Sequence, residues 1–319
     1  MENGTFLITG GAGLVGSHIA DQLLAAGAAR IRVLDNFIRG REDNLASAMA
    51  AGKVELHRGD VRDRALVNRL TAGCDGVFHQ AAMRITLCVE RPRECLESMI
   101  MGTLNVIEAC LEHKTRKLVA ASSVSVYGLA EQFPIDESHH LYNNRTLYGA
   151  AKVANEQMYR AYHEMNKLPY VAFRYFNVYG PRMDRTGAYT EVMIRWLYAA
   201  MDRQQPLIFG KGEQSMDFVF IDDIARANLA AYQSDVADEV FNVCTGRETT
   251  LMELWRIVQN VTGAKDLEPR YEAPRTIGPV GRRVGDSSKA KRLLGFETRV
   301  DLETGMQRLY DWLRSVPRF

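Results

Sequence analysis

The sequence has almost no net charge, no long hydrophobic run and no obvious metal-binding motif. Its 40 lysines and arginines nearly balance 39 aspartates and glutamates, for a formal net charge of +1. This balance argues against electrostatic capture of nucleic acid or of an anionic membrane. No apolar run approaches the length of a membrane span, and the early stretch TFLITG is too short for a signal peptide. We therefore expect neither nucleic acid nor a membrane as a partner.

Cysteine and histidine usage also limits the possibilities. The five cysteines are odd in number and form no C-x-x-C pair: Cys74, Cys88, Cys95, Cys110 and Cys244. That fits reduced, mostly buried thiols in a cytoplasmic protein better than a disulfide framework or a zinc site. His139 and His140 are adjacent but have no third ligand at metal spacing. We expect no metal.

Short apolar runs alternate with helical patterns through the first half of the chain. Strands are predicted at TFLITG, IRVLDN, KVELHRGD, GVFHQAA, KLVAASS and YVAFRYFNVYG, and helices near 94–113, 148–166, 190–202 and 301–314. Such alternation is typical of a parallel sheet covered on both faces. The predicted fold is α/β, a Rossmann-type doubly wound parallel sheet with a smaller interleaved α/β substrate-binding lobe. The first lobe spans 1–180, with returns near 215–245, and the second mainly 181–319.

A glycine-rich turn, Gly11-x-Gly13-x-x-Gly16 with Gly10 before it, follows the first predicted strand. Between a strand and a helix, such glycines allow a pyrophosphate to approach the backbone, and the helix N–H groups face the anion. The alternative is a glycine-rich turn without a ligand. Asp35 ends the second strand about twenty residues on, where a carboxylate bonds the adenosine ribose and repels a 2′-phosphate. The pattern predicts NAD rather than NADP.

Three nearby residues leave alternatives open. Arg39 and Arg41 would tolerate NADP, although Asp35 is better placed to decide. Asp60, at the end of the third strand, either binds the adenine amino group or caps the helix that follows. The cofactor preference and the role of Asp60 therefore depend on the tertiary structure around these residues.

Tyr148 and Lys152, in TLYGAAK, are four residues apart and share one helix face. A phenol, with a pKa of about 10, is a poor base at neutral pH. A neighbouring ammonium stabilises the phenolate, so we expect it to lower the pKa of Tyr148. A Y-x-x-x-K pair is commonly only a solvated helix face. Here it follows a strand whose end, SSVSVYG, offers hydroxyls on the cofactor side of the sheet, which favours a catalytic pair.

Further motifs extend over nearly the whole chain: TGGAGLVG, HQAA, SSVSVYG, YGAAK, RYFNVYGPR, DFVFIDD, FNVCTG and SKAKRLLGF. With them the chain resembles an extended short-chain dehydrogenase/reductase of the NAD-dependent sugar epimerase/dehydratase family. The resemblance implies that Tyr148 is the acid/base, that Lys152 tunes it and binds the nicotinamide ribose, and that Ser123 bonds the reacting oxygen. His79, in HQAA, is expected to be structural or adjacent to the cofactor rather than a base.

The resemblance also implies two sets of ligand contacts. The NAD-binding set is Gly10, Gly13, Leu14, Val15, Asp35, Asn36, Asp60, Val61, Ala81, Ala82, Tyr148 and Lys152. The substrate-binding set is Arg84, Ser123, Ser125, Asn177, Glu191, Arg195 and Arg275. For Asn177 a plain structural role is the alternative. Relatives of this kind imply a homodimer through a four-helix bundle built from the helices near 94–113 and 148–166.

Val124 and Ser125 limit which of the family's reactions this chain is expected to catalyse. Related 4,6-dehydratases carry an Asp-Glu pair between the serine and the tyrosine of this motif, and decarboxylases carry a glutamate at the position of Ser125. Here Val124 and Ser125 occupy that segment, so neither carboxylate is present. The resemblance then implies an isomerase like UDP-sugar 4-epimerases, acting on a nucleotide sugar, plausibly for polysaccharide biosynthesis. A reductase or dehydratase is the enzymatic alternative, and a dinucleotide-sensing regulator the alternative of another class.

The sequence departs from those epimerases at two methionines. Met99 replaces the asparagine of N-x-x-G-T, and Met216 replaces the arginine that contacts the substrate's diphosphate in the family. Either both are core replacements or the nucleotide sugar is held differently. Arg275, Arg282 and Arg283 are the candidates for the missing cation, with a solvated basic loop as the alternative.

Overall fold

The computed structural model describes residues 1–185, 191–273 and 281–318. Its strands are β1 (Thr5–Thr9), β2 (Arg30–Asp35), β3 (Val54–Arg58), β4 (Gly76–His79), β5 (Lys117–Ser123), β6 (Tyr170–Tyr175), β7 (Asn177–Tyr179), β8 (Leu207–Phe209), β9 (Ser215–Met216), β10 (Phe218–Phe220), β11 (Glu239–Val243), β12 (Thr249–Thr250) and β13 (Arg270–Glu272). Its helices are α1 (Leu14–Ala25), α2 (Ala46–Ala50), α3 (Arg64–Thr71), α4 (Ile85–Glu90), α5 (Pro92–Leu96), α6 (Gly102–Glu112), α7 (Leu147–Asn166), α8 (Val192–Met201), α9 (Ile221–Gln233), α10 (Leu251–Thr262), α11 (Ser288–Leu294) and α12 (Leu302–Ser315).

A parallel sheet of seven strands, in the order β11-β6-β5-β4-β1-β2-β3, organises the first part of the chain. The strand order reverses between β1 and β4. In open sheets of this type, the crevice at the carboxyl ends beside such a reversal is where ligands bind. The predicted Rossmann-type α/β fold is confirmed.

Alternate residues of the central strands pack into two separate layers. Phe6 and Ile8 of β1 join the cluster that contains residues of α1 and α9. Leu7 points to the other face and joins residues of α3, α6 and α7. Because helices cover both faces, the strands read as continuous apolar runs rather than as alternating patterns.

Two predicted elements are wrong in detail. The segment predicted as one strand over 170–180 breaks at Phe176, so β6 stays in the large sheet while β7 pairs in parallel with β10. The helix predicted near 94–113 is interrupted by a π-helical turn at Glu97–Met101 between α5 and α6. Tertiary pairing and a local change of helical hydrogen bonding decide these boundaries, and neither has a signal in apolar periodicity.

Residues 215–245 contribute a helix and an edge strand to the large sheet and its covering layer. Helix α9 packs on α1, and β11 forms the edge of the large sheet. Outside the large sheet, α8 and α10 pack together through Trp196 and Trp255, whose rings lie 6.0 Å apart, edge to face. The division into lobes at residue 180 stays a prediction. Across the described ranges, no helix is long and apolar enough to cross a membrane.

Candidate active site

A cavity of about 600 Å³ lies at the carboxyl ends of β1, β4 and β5. The predicted ligand-binding residues in its wall are Gly10, Gly13, Leu14, Val15, Asp35, Asn36, Val61, Ala81, Ala82, Arg84, Ser123, Ser125, Tyr148, Asn177 and Glu191. Asp60, Lys152 and Arg195 are not part of the wall. Arg275 lies outside the described residues. The roles assigned to all these residues stay predictions, but the structure brings most of them together around one space.

The glycine turn leaves no room for side chains. Gly10 has φ +68°, and a Cβ there would lie 2.7 Å from the backbone nitrogen of Ala81. A Cβ on Gly16 would lie 2.6 Å from the Cα of Gly11. Gly13 is the N-cap residue of α1 and offers no side chain to its first N–H groups. The backbone is therefore shaped for close approach of an anion such as the pyrophosphate of NAD.

Asp35 is nearly buried at the end of β2 and is held by the backbone around it. Its carboxylate accepts hydrogen bonds from the amides of Ala12, at 2.9 Å, and Phe37, at 2.8 Å. Burial raises the pKa of Asp35, and these two bonds oppose that change. A fixed acceptor at this position fits the ribose of NAD better than the phosphate of NADP.

Asp60 does not cap the following helix, so that alternative is wrong. Asp63 is the N-cap of α3 and accepts from the amide of Leu66 at 3.0 Å. Asp60 instead accepts from the side chain of Arg62, at 2.9 and 3.0 Å, and from that of Asn36, at 2.8 Å. Adenine binding by Asp60 stays a prediction, and its link to Asn36 joins it to the cavity wall.

Tyr148 lies in the first turn of α7, where the Thr146 side chain caps the helix by accepting from the amide of Gly149 at 3.0 Å. The Ser123 hydroxyl, at the end of β5, is within hydrogen-bonding reach of the Tyr148 phenol. Ser123 also accepts from the amide of Ser125 at 3.1 Å. The two hydroxyls predicted to handle the reacting oxygen therefore meet at one wall of the cavity.

The expected lowering of the Tyr148 pKa is not found in the protein alone. Burial raises the pKa of Tyr148, and the hydrogen bond with Ser123 and the charge of Arg39 only partly offset it. The Lys152 ammonium is 6.0 Å from the Tyr148 ring centre and donates to the carbonyl oxygen of Ala121 at 2.6 Å. Desolvation of the phenolate therefore outweighs its attraction to the ammonium.

Lys152 is itself buried beside a buried ion pair. Burial lowers its pKa to about 8, while Glu156, one turn further along α7, acts in the opposite direction. Glu156 binds Arg174 of β6 at 2.7 Å, with 3% and 6% of the two side chains exposed. The Arg174 guanidinium also donates to the phenol oxygen of Tyr127 at 2.8 Å. The Glu156 carboxylate thus stabilises the positive charge of Lys152 behind the cavity wall, and its ion pair with Arg174 holds α7 against the sheet.

Arg282 and Arg283, the two described candidates for the missing cation, have different surroundings. Arg282 points away from the cavity and pairs with Glu248, with Nη2 2.7 Å from the carboxylate. Arg283 lines the cavity, and no other described residue hydrogen-bonds or ion-pairs with its guanidinium. Burial lowers the pKa of Arg283 to about 10. An arginine desolvated without a partner is prepared for an anionic ligand.

A cluster of four charges borders the same space. Arg84 lies 3.0 Å from Asp184, and Arg39 lies 3.7 Å from the same carboxylate. Glu191 also faces Arg39. Asp184 was not identified from the sequence; its position just after GPR was the available signal. The cluster joins the loop after β2 to the segment after β7 across the cavity.

The two unusual methionines both pack into apolar surroundings. Met99 is buried among Met83, Cys88 and Cys95, and Met216 packs at the edge of the main core. Neither lines the cavity. Both positions fit core replacement, and the way in which the diphosphate of the substrate is held stays a prediction.

The histidines also take structural positions. His79 is buried between the hydroxyls of Thr9 and Thr103, at 2.6 and 3.0 Å. Burial lowers the pKa of His79 to about 3, so it is neutral and serves as a buried link between β4 and its neighbours. Within the described ranges, no group of three or more His, Cys, Asp and Glu side chains could hold a metal.

Comparison with known proteins identifies the family. Residues 6–244 match the model of the NAD dependent epimerase/dehydratase family. The chain belongs to this family. It is 35% identical over 315 residues to a putative UDP-glucose 4-epimerase of Methanocaldococcus jannaschii, covering 98% of this chain and 99% of the relative.

Two solved structures are similar over nearly the full length. One is a UDP-N-acetylglucosamine 4-epimerase from Methanobrevibacter ruminantium in complex with UDP-N-acetylmuramic acid, with a TM-score of 0.93, 30% identity and 99% coverage of both chains. The other is a UDP-glucose 4-epimerase from Thermotoga maritima with UDP-glucose, with a TM-score of 0.90, 32% identity and coverage of 98% and 99%. The glycine cradle and the fixed Asp35 carboxylate fit the NAD that this family uses.

Proposed function

We propose that this protein is an NAD-dependent nucleotide-sugar 4-epimerase. The observation that carries the proposal is the meeting of Ser123 and Tyr148 at the wall of the NAD-shaped cavity, with Lys152 directly behind them. Val124 and Ser125 follow Ser123, so this turn provides no carboxylate for elimination or decarboxylation. Oxidation at C4, rotation of the keto sugar and reduction on its other face need only a proton donor and acceptor at this place.

The protein's own groups handle the proton of the C4 hydroxyl. Tyr148 accepts it as the hydroxyl becomes a carbonyl and returns it in the reverse step. Ser123 donates a hydrogen bond that orients the same oxygen. Lys152, charged below pH of about 8, favours the phenolate electrostatically. NAD supplies the hydride acceptor and, once reduced, the hydride donor, so no net cofactor is consumed.

The position of Arg283 supports a diphosphate-linked substrate. The Arg283 guanidinium lines the cavity wall and pairs with no other described residue, so it is suited to two phosphate oxygens. Arg283 would then supply the positive charge that is missing because Met216 stands where the family has an arginine. Asn177 lines the same cavity, and its amide donates to the carbonyl oxygen of Asp217 at 3.1 Å, which fixes its orientation toward the substrate.

The reductase, dehydratase and regulator alternatives make different predictions. A reductase or dehydratase would consume cofactor or release water. A dinucleotide-sensing regulator would not need a proton-handling tyrosine. Among similar proteins a UDP-N-acetyl-alpha-D-glucosaminuronate decarboxylase of Bacillus cytotoxicus is 29% identical over 319 residues, so the reaction needs a direct test.

The test is NMR of the purified protein with UDP-glucose, UDP-N-acetylglucosamine or UDP-glucuronate in separate tubes, with catalytic NAD and no reductant. We expect one of them to give the matching galacto-configured sugar. Tyr148→Phe should abolish that conversion. Tyr142→Phe is the matched control, because Tyr142 is 87% exposed outside the cavity.

Turnover that persists in Tyr148→Phe would refute the assigned acid/base. If no sugar inverts in any tube while NAD remains bound, the 4-epimerase assignment for these UDP-hexoses is wrong. Loss of carbon dioxide from the glucuronate, or net formation of NADH, would instead support an alternative reaction class.

We also propose that the protein is a cytoplasmic homodimer, assembled through a four-helix bundle of α5, α6 and α7. Leu96 on α5, Met101 in the π-helical turn and Met165 on α7 are 43%, 52% and 68% exposed, so each leaves apolar surface that a partner would cover. Sedimentation should show a dimer that Met101→Glu weakens. Met49→Glu, on α2 with 43% of the methionine exposed, should leave it intact; equal effects would refute the bundle.

A further inference from the structure

The unusual segment MRITLCVERPRECLESM folds so that its sulfur atoms gather in one place. Met83, Cys88, Cys95 and Met99 form a buried cluster with Ala151. Cys88 lies on α4, Cys95 on α5 and Met99 in the π-helical turn Glu97–Met101. The epimerase mechanism uses none of these sulfurs.

Three of these sulfur atoms form a triangle. The thiols of Cys88 and Cys95 each lie 3.8 Å from the thioether of Met99 and donate to it. A cation at the usual metal–thiolate distance of about 2.3 Å from two sulfurs spans sulfur–sulfur separations of up to about 4.6 Å. Both 3.8 Å separations are therefore ones that a single bound cation can bridge.

We propose that Cys88, Cys95 and Met99 bind a soft monovalent d¹⁰ cation, Cu(I) or its analogue Ag(I). Thiolate and thioether ligands select Cu(I) over harder ions. Zinc prefers four ligands, and in the described ranges no set of three or more His, Cys, Asp and Glu side chains could provide them. The thioether of Met99 completes the ligand set, and the widened π-helical turn presents it.

One residue of the sulfur cluster also borders the active-site cavity. Met83 belongs to the cluster and lines the cavity. Its thioether is flexible and binds soft metals weakly. A soft cation in the cavity would therefore meet Met83 first among these sulfurs.

Binding must release protons. The thiols of Cys88 and Cys95 each donate a hydrogen bond to the Met99 sulfur, so each carries a proton before the cation binds. The cation forms two bonds to thiolate sulfur and one to the thioether, and two S–H bonds break, releasing two protons to solvent. No oxidant or reductant is required. Affinity should therefore increase with pH.

The occupied site would act on catalysis, and this part rests on the proposed function. The Tyr148 ring packs on the sulfur cluster. One monovalent cation with two thiolates carries a net charge of −1, which opposes formation of the phenolate beside it. Micromolar Cu(I) should therefore slow epimerisation, and a chelator should restore it.

The test is anaerobic titration of the NAD-loaded protein with Cu(I) from a bicinchoninate complex. We expect one Cu(I) per chain and a sulfur-only first shell by X-ray absorption. Met99→Leu, a nearly volume-conserving swap, and Cys88→Ala should each lower the affinity at least tenfold. Far-UV circular dichroism and retained NAD report whether the variants fold.

Cys74→Ala and Cys110→Ala are matched controls, since both thiols are buried in a separate cluster that does not include Met99. They should bind Cu(I) like the wild type. Absence of one stoichiometric Cu(I), a disulfide instead of bound metal, or equal losses in the control variants would overturn the proposal. These readouts need no activity, so failure of the epimerase assignment would not be mistaken for failure of the site.

Discussion

Replacement of Lys152 by methionine should slow the NAD-loaded enzyme and make the NAD-free protein more stable. A fall of the Lys152 pKa from 10.5 to about 8 corresponds to about 3.4 kcal/mol against the buried ammonium, at about 1.36 kcal/mol for each tenfold change in proton affinity. Methionine removes this cost. It also leaves the Ala121 carbonyl oxygen without its 2.6 Å hydrogen bond, which costs about 1–3 kcal/mol. We expect a net gain of about 0.4–2.4 kcal/mol at pH 7.

The gain should depend on pH in a defined direction. The pKa of Lys152 is about 8 in the folded protein and 10.5 in its ordinary state. Between these values the unfolded chain holds a proton that the folded chain has released, so wild-type stability rises with pH relative to the variant. The cost of burying the charged lysine should be complete below pH 8 and absent above about pH 10.5. The variant's advantage should therefore fall through this range and reverse once that cost is smaller than the cost of the lost hydrogen bond.

Urea unfolding of both proteins at pH 7 and at pH 9.5 measures this difference. Turnover of Lys152→Met should fall by about 10²- to 10⁴-fold, the usual contribution of acid–base catalysis. A variant less stable than the wild type at pH 7, or a stability difference that does not change with pH, would refute burial as the cause of the lowered lysine pKa.

Three further substitutions test residues that hold the active site and the cofactor-binding turn in place. Glu156→Gln should lower the free energy of unfolding by about 3–5 kcal/mol in urea titrations, because Arg174 keeps a buried charge without its partner; a loss below about 1 kcal/mol would contradict this. Gly16→Ala should weaken NAD binding at least tenfold by calorimetry, since its Cβ would lie 2.6 Å from the Cα of Gly11; unchanged affinity would show that the turn can relax. Asp35→Asn should reduce the preference for NAD over NADP, and an unchanged ratio of dissociation constants would mean that another residue selects the cofactor.

Local rules were sufficient for much of the fold and for the cofactor site. A tight glycine turn between a strand and a helix has few alternatives, so the NAD cavity could be predicted around Gly10 and Gly13. The i, i+4 spacing placed Tyr148 and Lys152 on one helix face, as the structure has them. Boundaries were less predictable. The break at Phe176 depends on which partner strands are near, and periodicity within one segment carries no such information.

The sequence alone determined the family and the parallel α/β architecture and predicted a proton-handling trio, because these follow from short-range spacing and from chemistry carried by single motifs. Tertiary structure decided the rest. It raised the pKa of Tyr148 by burial, gave the helix cap to Asp63 rather than Asp60, and turned Arg283 inward while Arg282 paired with Glu248. Each outcome depends on desolvation and on neighbours distant in the chain, and those quantities exist only once the chain is folded.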